Sequence, residues 1–269
     1  MNNTLTISLA QMSFQLGQAE ANFERAAEWI EKAAQRGSDL LLLPELWPSG
    51  YDLAHWKRYA TKLDEGLFSR LADLARQHQI ALGGSLLEAR DGQAYNTFVL
   101  FGVDGAILGV YRKIHRFRLL DEQKWLGAGD ELTLVDAPWG ATGLSICYDL
   151  RFPEMFRVYG LGGARLILLV AEWPQTRIEH WRILLQARAI ENQTYVAAIN
   201  KVGESKGAKL GGHSAVIDPW GKRLVEGDTT EKLLTAEIDF REVEKARRFL
   251  PVFDDRRPDL YGLEGDDDD

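Results

Sequence analysis

Apolar residues along the chain follow two patterns, one typical of strands and the other of helices. Thr4–Ala10 alternates polar and apolar residues, and Leu40–Leu43 is wholly apolar, as expected of a strand buried on both faces. Apolar residues between Phe23 and Ala34 instead recur on one helical face, and Gly37 is placed to end that helix. Both patterns return further along, so the chain alternates strands with helices.

The same patterns predict the remaining elements. Strands are predicted at Ile80–Leu87, Tyr95–Val103, Ala106–Tyr111, Leu144–Cys147, Leu166–Ala171, Tyr195–Asn200, Ser214–Asp218 and Leu233–Asp239. Helices are predicted at Leu67–His78, from Pro153 through Tyr159, and at Arg177–Asn192. The Asp104-Gly105 pair between two apolar runs is a strong hairpin signal. Alternating helices and strands interrupted by hairpins indicate an α/β protein with a mixed sheet.

Two parts of the chain resemble each other. Asp39–Pro48 and Arg165–Pro174 each contain a buried-strand pattern followed by Trp-Pro in register. The predicted hairpin Phe101–Val110 has a weaker counterpart in Val216–Val225. Chance similarity between buried strands is one explanation, and two similar halves that pack sheet against sheet is the other.

Composition excludes several classes of protein. The single cysteine cannot form an intramolecular disulfide or a cysteine-cluster metal site. The formal net charge of −8 argues against nucleic acid as a partner, because phosphate contacts need a basic surface. The apolar runs are far shorter than the roughly 20 residues that span a bilayer, and no signal-peptide pattern is present. We therefore expect a soluble cytoplasmic protein that binds neither nucleic acid nor membrane.

The domain organisation is expected to be simple. No Ser/Pro-rich linker interrupts the chain, which favours one domain over residues 1–263. The acidic run Glu264–Asp269 is expected to be a solvated, mobile tail.

Three residues at predicted strand ends could carry chemistry. Glu45 ends an apolar strand, where burial would raise its pKa toward the range of a general base, although a solvated carboxylate explains it too. Lys113 ends the hairpin and is either solvated or a stabiliser of an oxyanion. Cys147 precedes a helix start, which lowers a thiol pKa, and a strand–turn–helix elbow exposes a nucleophile. A buried structural cysteine is the alternative.

Taken together, these residues lie in three ordered motifs. They are Pro44-Glu45 after a buried strand, Tyr111–Lys113 after a hairpin, and Cys147–Glu154 at the elbow. In order and spacing they resemble the nitrilase, or carbon–nitrogen hydrolase, superfamily. The resemblance covers nearly the whole chain, including Ala187–Asn192 and Asp218–Gly221.

The resemblance implies a four-layer αββα sandwich of two mixed β-sheets with helices outside. It implies a Glu–Lys–Cys triad on Glu45, Lys113 and Cys147, and a homodimer built on the elbow helix and the late helix. The thiolate would attack an amide carbonyl, and Lys113 with the Tyr148 backbone N–H would hold the oxyanion. No metal or other cofactor is expected, since the five histidines lack metal-ligand spacing.

The resemblance also suggests residues around the triad. A second glutamate between the lysine and cysteine motifs matches Glu122, with Glu131 and Asp121 as alternatives, and it would orient Lys113 or the substrate. Trp173 matches a loop that lines the pocket in such proteins, although an ordinary packed aromatic explains it equally well.

The substrate is suggested by finer resemblance. His115–Glu122 and Glu172–Trp181 look most like bacterial omega-amidases, which hydrolyse 2-oxoglutaramate-type 2-oxo acid amides to a 2-oxo dicarboxylate and ammonia. A substrate carboxylate needs a cation, best an arginine, and Arg116, Arg118 and Arg177 are near the motifs. Surface arginines are the alternative interpretation.

Other functions remain open on sequence grounds. Nitrile and N-carbamoyl hydrolysis use the same triad, and an acyltransferase would use the same thioester with a nucleophile other than water. A non-catalytic binding or scaffold relative would keep an inert cysteine. The filled triad favours an amidohydrolase whose partner is a small-molecule amide.

Overall fold

The computed structural model describes residues 3–261 of the 269-residue chain. Its strands are β1 Thr4–Gln11, β2 Leu40–Leu42, β3 Ala81–Arg90, β4 Gln93–Phe101, β5 Ile107–Arg112, β6 Leu134–Ala137, β7 Gly140–Ile146, β8 Leu166–Ala171, β9 Tyr195–Asn200, β10 Val202–Ser205, β11 Ala208–Gly211, β12 Ala215–Ile217, β13 Arg223–Glu226 and β14 Lys232–Asp239. Its α-helices are α1 Ala19–Gln35, α2 Gly66–His78, α3 Glu122–Trp125, α4 Pro153–Leu161, α5 Ile178–Asn192 and α6 Arg241–Phe249.

Two mixed sheets of six strands each form the centre of the molecule. The first has the order β14-β1-β2-β3-β4-β5, with β1, β2 and β3 parallel. The second has the order β13-β12-β9-β8-β7-β6, with β7, β8 and β9 parallel. Helices α1, α2, α4 and α5 connect the parallel strands, because parallel neighbours need long crossovers.

The two sheets have the same topology. Each has three parallel central strands, an antiparallel hairpin on one side and a single antiparallel strand on the other. The two hairpins, β4–β5 and β12–β13, also share a register shift. The interpretation of the sequence repeat as two similar halves is therefore confirmed at the level of topology.

The buried leucines of β2 explain how the layers stack. Leu40 and Leu42 belong to the core shared by both sheets, together with β8. Leu41 and Leu43 belong instead to the core under α1 and α2. Helices α4 and α5 pack onto the second sheet in the same way. The strand is apolar throughout because both faces are covered, and the predicted αββα sandwich is confirmed.

Some elements differ from the sequence prediction. The hairpin β10–β11 was not predicted, because its strands are polar and glycine-rich, although its tip, Lys206-Gly207, has the positive φ angles of a tight hairpin turn. Helix α6 was also missed, because it is highly charged and buries only Val243 and Ala246. Strand β7 begins at Gly140 rather than Leu144, since small residues at its start gave no apolar signal.

The predicted domain and the predicted tail both extend beyond the described residues. The acidic segment Glu264–Asp269 lies outside the described residues, and one domain over residues 1–263 stays a prediction. Within residues 3–261, no helix is long and apolar enough to cross a membrane.

Candidate active site

Cys147 lies at a sharp turn between β7 and α4. Its φ of 48° is in the left-handed region, which non-glycine residues seldom adopt. A 3₁₀ turn over Cys147–Arg151 starts there and leads into α4. The Asp149 carboxylate holds the turn, since its Oδ2 accepts the Ile146 N–H at 2.8 Å and the Tyr111 hydroxyl at 2.7 Å. The predicted elbow is therefore present, and its strained residue is the candidate nucleophile.

Glu45 follows β2 and is fully buried. Its Oε1 accepts hydrogen bonds from Lys113 Nζ at 2.8 Å, Tyr51 Oη at 2.7 Å and Asn96 Nδ2 at 2.8 Å. Its Oε2 accepts the backbone N–H of Glu172 at 2.9 Å. These donors replace the water that a carboxylate would otherwise require, so the group can stay inside the protein.

The backbone near Glu45 passes very close to β3. A Cβ atom at Gly84 would lie 3.1 Å from Leu43 Cβ and 3.2 Å from Trp47 Nε1. The lack of a side chain at Gly84 therefore allows this close contact.

Lys113 follows β5 and joins two buried carboxyl groups. Its Nζ lies 2.8 Å from Glu45 Oε1 and 2.7 Å from Glu122 Oε1. Tyr51 Oη is also 2.8 Å from Glu122, and the Phe117 N–H donates to Glu122 Oε2 at 2.8 Å. Glu122 is thus placed to orient Lys113.

The alternatives to Glu122 lie elsewhere. Asp121 and Glu131 are both exposed. Asp121 pairs with Lys124 at 2.9 Å on the surface. Neither carboxyl group takes part in the buried cluster.

The charges of this cluster set the resting state of the site. Burial and then the charge of Glu45 raise the pKa of Cys147 well above its usual value, so the expectation of a lowered thiol pKa is wrong. Burial alone would lower the pKa of Lys113, but Glu122 and Glu45 raise it well above its usual value. Burial raises the pKa of Glu122, and Lys113 opposes that rise. The resting site therefore pairs a neutral thiol with an ammonium group.

A cavity of about 90 Å³ opens beside Cys147. Most of the lining residues are apolar or aromatic: Tyr51, Phe117, Leu120, Tyr148, Trp173, Pro174, Ala208 and Leu210. The charged lining residues are Arg151, Arg177, Lys206 and Glu172, and Ser205 also lines the cavity. The Arg151 guanidinium lies 4.7 Å from the Trp173 ring centre, and the Trp173 indole N–H donates to the Arg177 carbonyl at 2.8 Å. Trp173 is therefore a wall of the cavity.

The three arginines expected near the substrate are divided between two cavities. Tyr148 lines the cavity beside Cys147, but Arg116 and Arg118 line a neighbouring cavity beyond it. The chain turns away at Phe117, and Arg116 Nη1 donates to the Leu126 carbonyl at 3.0 Å. Arg177 therefore lines the Cys147 cavity, together with Arg151, whereas Arg116 and Arg118 line the neighbouring one, and a substrate contact by any of them stays a prediction.

Comparison with known proteins assigns the family. A family model described as carbon-nitrogen hydrolase matches residues 6–248. This chain belongs to the carbon–nitrogen hydrolase family. The resemblance inferred from the three motifs is confirmed.

This carbon–nitrogen hydrolase has relatives over almost its full length. A 2-oxoglutaramate amidase of Bacillus subtilis (strain 168) is 41% identical over 257 residues, covering 95% of this chain and 99% of that protein. The omega-amidase NIT2 of Homo sapiens is 35% identical over 267 residues, covering 95% and 97%. A crystal structure of XC1258 from Xanthomonas campestris, a CN-hydrolase superfamily protein with an arsenic adduct in its active site, has a TM-score of 0.89 at 31% identity, covering 96% and 98%.

Three polar residues next to Glu45, as well as Arg151 in the cavity wall, were missed by sequence reasoning. Tyr51 and Asn96 donate to Glu45 but lie in a loop and a strand whose patterns carry no mark of chemistry. Glu172 lies in the Glu-Trp-Pro segment that pointed to Trp173, so the signal was present and was assigned to its neighbour. Within residues 3–261, no three His, Cys, Asp or Glu side chains are grouped to hold a metal.

Proposed function

We propose that this protein is an omega-amidase, which hydrolyses the amide of 2-oxoglutaramate-type 2-oxo acid amides through a cysteine thioester. The observation that carries the proposal is the elbow thiol of Cys147 beside the Glu45–Lys113–Glu122 cluster, opening into a small cavity with arginines on its wall. The names of the two relatives, a 2-oxoglutaramate amidase and an omega-amidase, support the same substrate class.

The acylation step needs a base, because the buried thiol of Cys147 is neutral at rest. Glu45 takes the thiol proton as the sulfur attacks the amide carbon. The carbonyl oxygen gains negative charge, which Lys113 Nζ and the Tyr148 backbone N–H stabilise. The C–N bond then breaks as Glu45 returns the proton to the nitrogen, and ammonia leaves with a thioester on Cys147.

Deacylation repeats the proton transfer with water. Glu45 takes a proton from the water that attacks the thioester carbon, and the C–S bond breaks. Glu45 then returns the proton to the sulfur, and the product leaves as a carboxylic acid that loses its proton to solvent. Lys113 stays protonated throughout, because both neighbouring carboxyl groups raise its pKa. Glu122 acts as a positioning residue for Lys113.

The carboxylate of the substrate is assigned to Arg151 and Arg177. Both line the cavity, and their guanidinium groups lie over Trp173 and Phe117 at 4.7 and 5.9 Å from the ring centres. Aromatic faces hold a guanidinium plane while its N–H groups remain free for an anion.

Two measurements test the proposal: a comparison of substrates with the wild-type protein, and a comparison of KM between the wild type and arginine variants. We expect ammonia release from 2-oxoglutaramate to exceed release from glutamine, aliphatic nitriles and N-carbamoyl amino acids. Arg151→Met and Arg177→Met should raise KM for 2-oxoglutaramate about tenfold or more, as expected for loss of a charged hydrogen bond, without changing butyramide turnover. Arg118→Met is the matched control and should change neither. Preference for a nitrile or a carbamoyl substrate would refute the proposal.

We also propose that the protein is a homodimer formed through α4 and α5. These helices expose Val158, Leu161, Ile183 and Ile190 by 44–61% of their surface, and such apolar groups favour an interface. Light scattering of wild type and Ile183→Glu would test this, with a monomeric wild type as the contradicting outcome.

A cytoplasmic location is proposed from the chemistry, because a reducing compartment preserves the Cys147 thiol. Cell fractionation tests the location.

A further inference from the structure

Glu172 is a buried carboxyl group to which the mechanism above gives no role. It follows directly after β8, and its side chain is 3% exposed. Within residues 3–261 it is the only acidic residue among those that line the Cys147 cavity. Its backbone N–H lies 2.9 Å from Glu45 Oε2, so it adjoins the base of the reaction.

The carboxyl group of Glu172 is held by a second buried charge. Lys201 Nζ lies 3.4 Å from Glu172 Oε1, and Lys201 is itself 1% exposed. The Lys201 ammonium lies 3.6 Å from the centre of the Phe14 ring, so an aromatic face covers its other side. Burial raises the pKa of Glu172 to about 7, and Lys201 opposes the rise.

A buried ion pair is costly to maintain, because both charges lose their water. Replacement of such a pair by apolar residues is often neutral or stabilising, so stability is a poor explanation for its presence beside the cavity. The pair leaves acceptor capacity on Glu172. Oε1 faces Lys201, Ser205 lines the same cavity, and two carboxylate oxygens offer about four acceptor positions.

The departing amide nitrogen is the donor that this acceptor fits. The nitrogen carries two hydrogens in the substrate and three as ammonia. Glu45 already accepts four hydrogen bonds from the protein. It therefore has little acceptor capacity left for the N–H groups of the substrate or of ammonia. A buried N–H group left without an acceptor costs about 1–3 kcal/mol.

We propose that Glu172 is a leaving-group residue that accepts a hydrogen bond from the amide nitrogen of the substrate. Lys201 holds the carboxyl group in place by binding Oε1. The inference rests on the proposed amidase activity and extends it, since it makes the site selective for amides over esters, whose leaving group carries no hydrogen before it is protonated.

Glu172→Gln is the decisive variant. Lys201 donates hydrogen bonds only, so it will hold the glutamine carbonyl and leave the NH₂ group toward the cavity. A donor then faces the donor of the substrate. We expect kcat/KM for 2-oxoglutaramate to fall by roughly 10- to 100-fold, the effect of losing one charge-assisted hydrogen bond. For the 5-methyl ester of 2-oxoglutarate, kcat/KM should change less than about twofold, because the ester lacks the N–H.

The control is Glu88→Gln. Glu88 is buried and paired with Arg112 at 2.7 Å but does not line the cavity, so its variant should leave the amide-to-ester ratio unchanged. An equal fall for amide and ester in Glu172→Gln, or no fall, overturns the proposal. If that variant does not fold, Glu172→Asp keeps a shortened acceptor and should lower the same ratio; an unchanged ratio there overturns it too.

Failure of the proposed function is a separate result. If wild type does not hydrolyse 2-oxoglutaramate, the comparison is made with butyramide and methyl butyrate. The role of Glu172 then stands or falls on the amide-to-ester ratio alone.

Discussion

Replacing Lys113 with methionine would remove a cation that contacts both Glu45 and Glu122. Both carboxyl groups are fully buried, and Lys113 Nζ lies 2.8 and 2.7 Å from them. Breaking a buried ion pair by removing one partner costs about 3–5 kcal/mol, because the other charge is left uncompensated. Since each kcal/mol moves Tm by about 2–4 °C, we expect Lys113→Met to melt roughly 6–20 °C lower at neutral pH.

The loss of stability in Lys113→Met should be larger at pH 8 than at pH 5.5. Burial raises the pKa of Glu122 in the folded protein, and Lys113 opposes this. A carboxyl group with a raised folded pKa contributes stability below its unfolded pKa of about 4.3, and that stability is lost as pH rises through the folded pKa. Without Lys113 the pKa of Glu122 in the folded protein rises further. Lys113→Met should therefore regain thermal stability on acidification from pH 8 to pH 5.5.

Thermal unfolding of wild type and Lys113→Met at pH 5.5 and pH 8 measures this effect. Lys124→Met is the matched control, because Lys124 is 62% exposed and its surface pair with Asp121 should contribute at most about 1 kcal/mol. Adding Glu122→Gln to Lys113→Met should restore part of the stability at pH 8. A loss of equal size at both pH values would refute the reasoning.

Three further predictions follow from the site. Cys147→Ala should abolish amide hydrolysis with an unchanged circular dichroism spectrum, and residual ammonia release would contradict the nucleophile. Glu45→Gln should slow hydrolysis by roughly 10²–10⁴-fold yet speed disulfide-reagent labelling of Cys147 at pH 8, because Glu45 raises the thiol pKa; slower labelling would contradict this. Asp149→Ala should cost about 2–4 kcal/mol in chemical unfolding, since two buried donors lose their acceptor, and an unchanged midpoint would argue against its role in the elbow.

Sequence patterns predicted the layers of the sandwich and the residues Glu45, Lys113 and Cys147, because burial and motif order are both visible along the chain. The run Leu40–Leu43 reports burial on two faces, which is a property of the strand itself. The three motif residues were found through their order along the chain, and the structure brings Lys113 and Glu45 into contact.

The remaining parts of the site depend on how loops pack in three dimensions. No periodicity distinguishes Tyr51 from an ordinary buried aromatic, although its hydroxyl lies within hydrogen-bond distance of both Glu45 and Glu122. Closeness in sequence favoured Arg116, but a turn of the chain carries it into another cavity. The thiol pKa was also misjudged, because burial outweighs the effect of the adjacent turn.

The position of β14 has a consequence for synthesis of the protein. The first strand of the chain, β1, pairs with β14, and Thr4 lies opposite Asp239. Until the ribosome has added that last strand, the outer edge of β1 has no partner, and unpaired strand edges promote aggregation. A nascent or prematurely terminated chain that ends before Lys232 therefore carries an open edge at β1 on the first sheet.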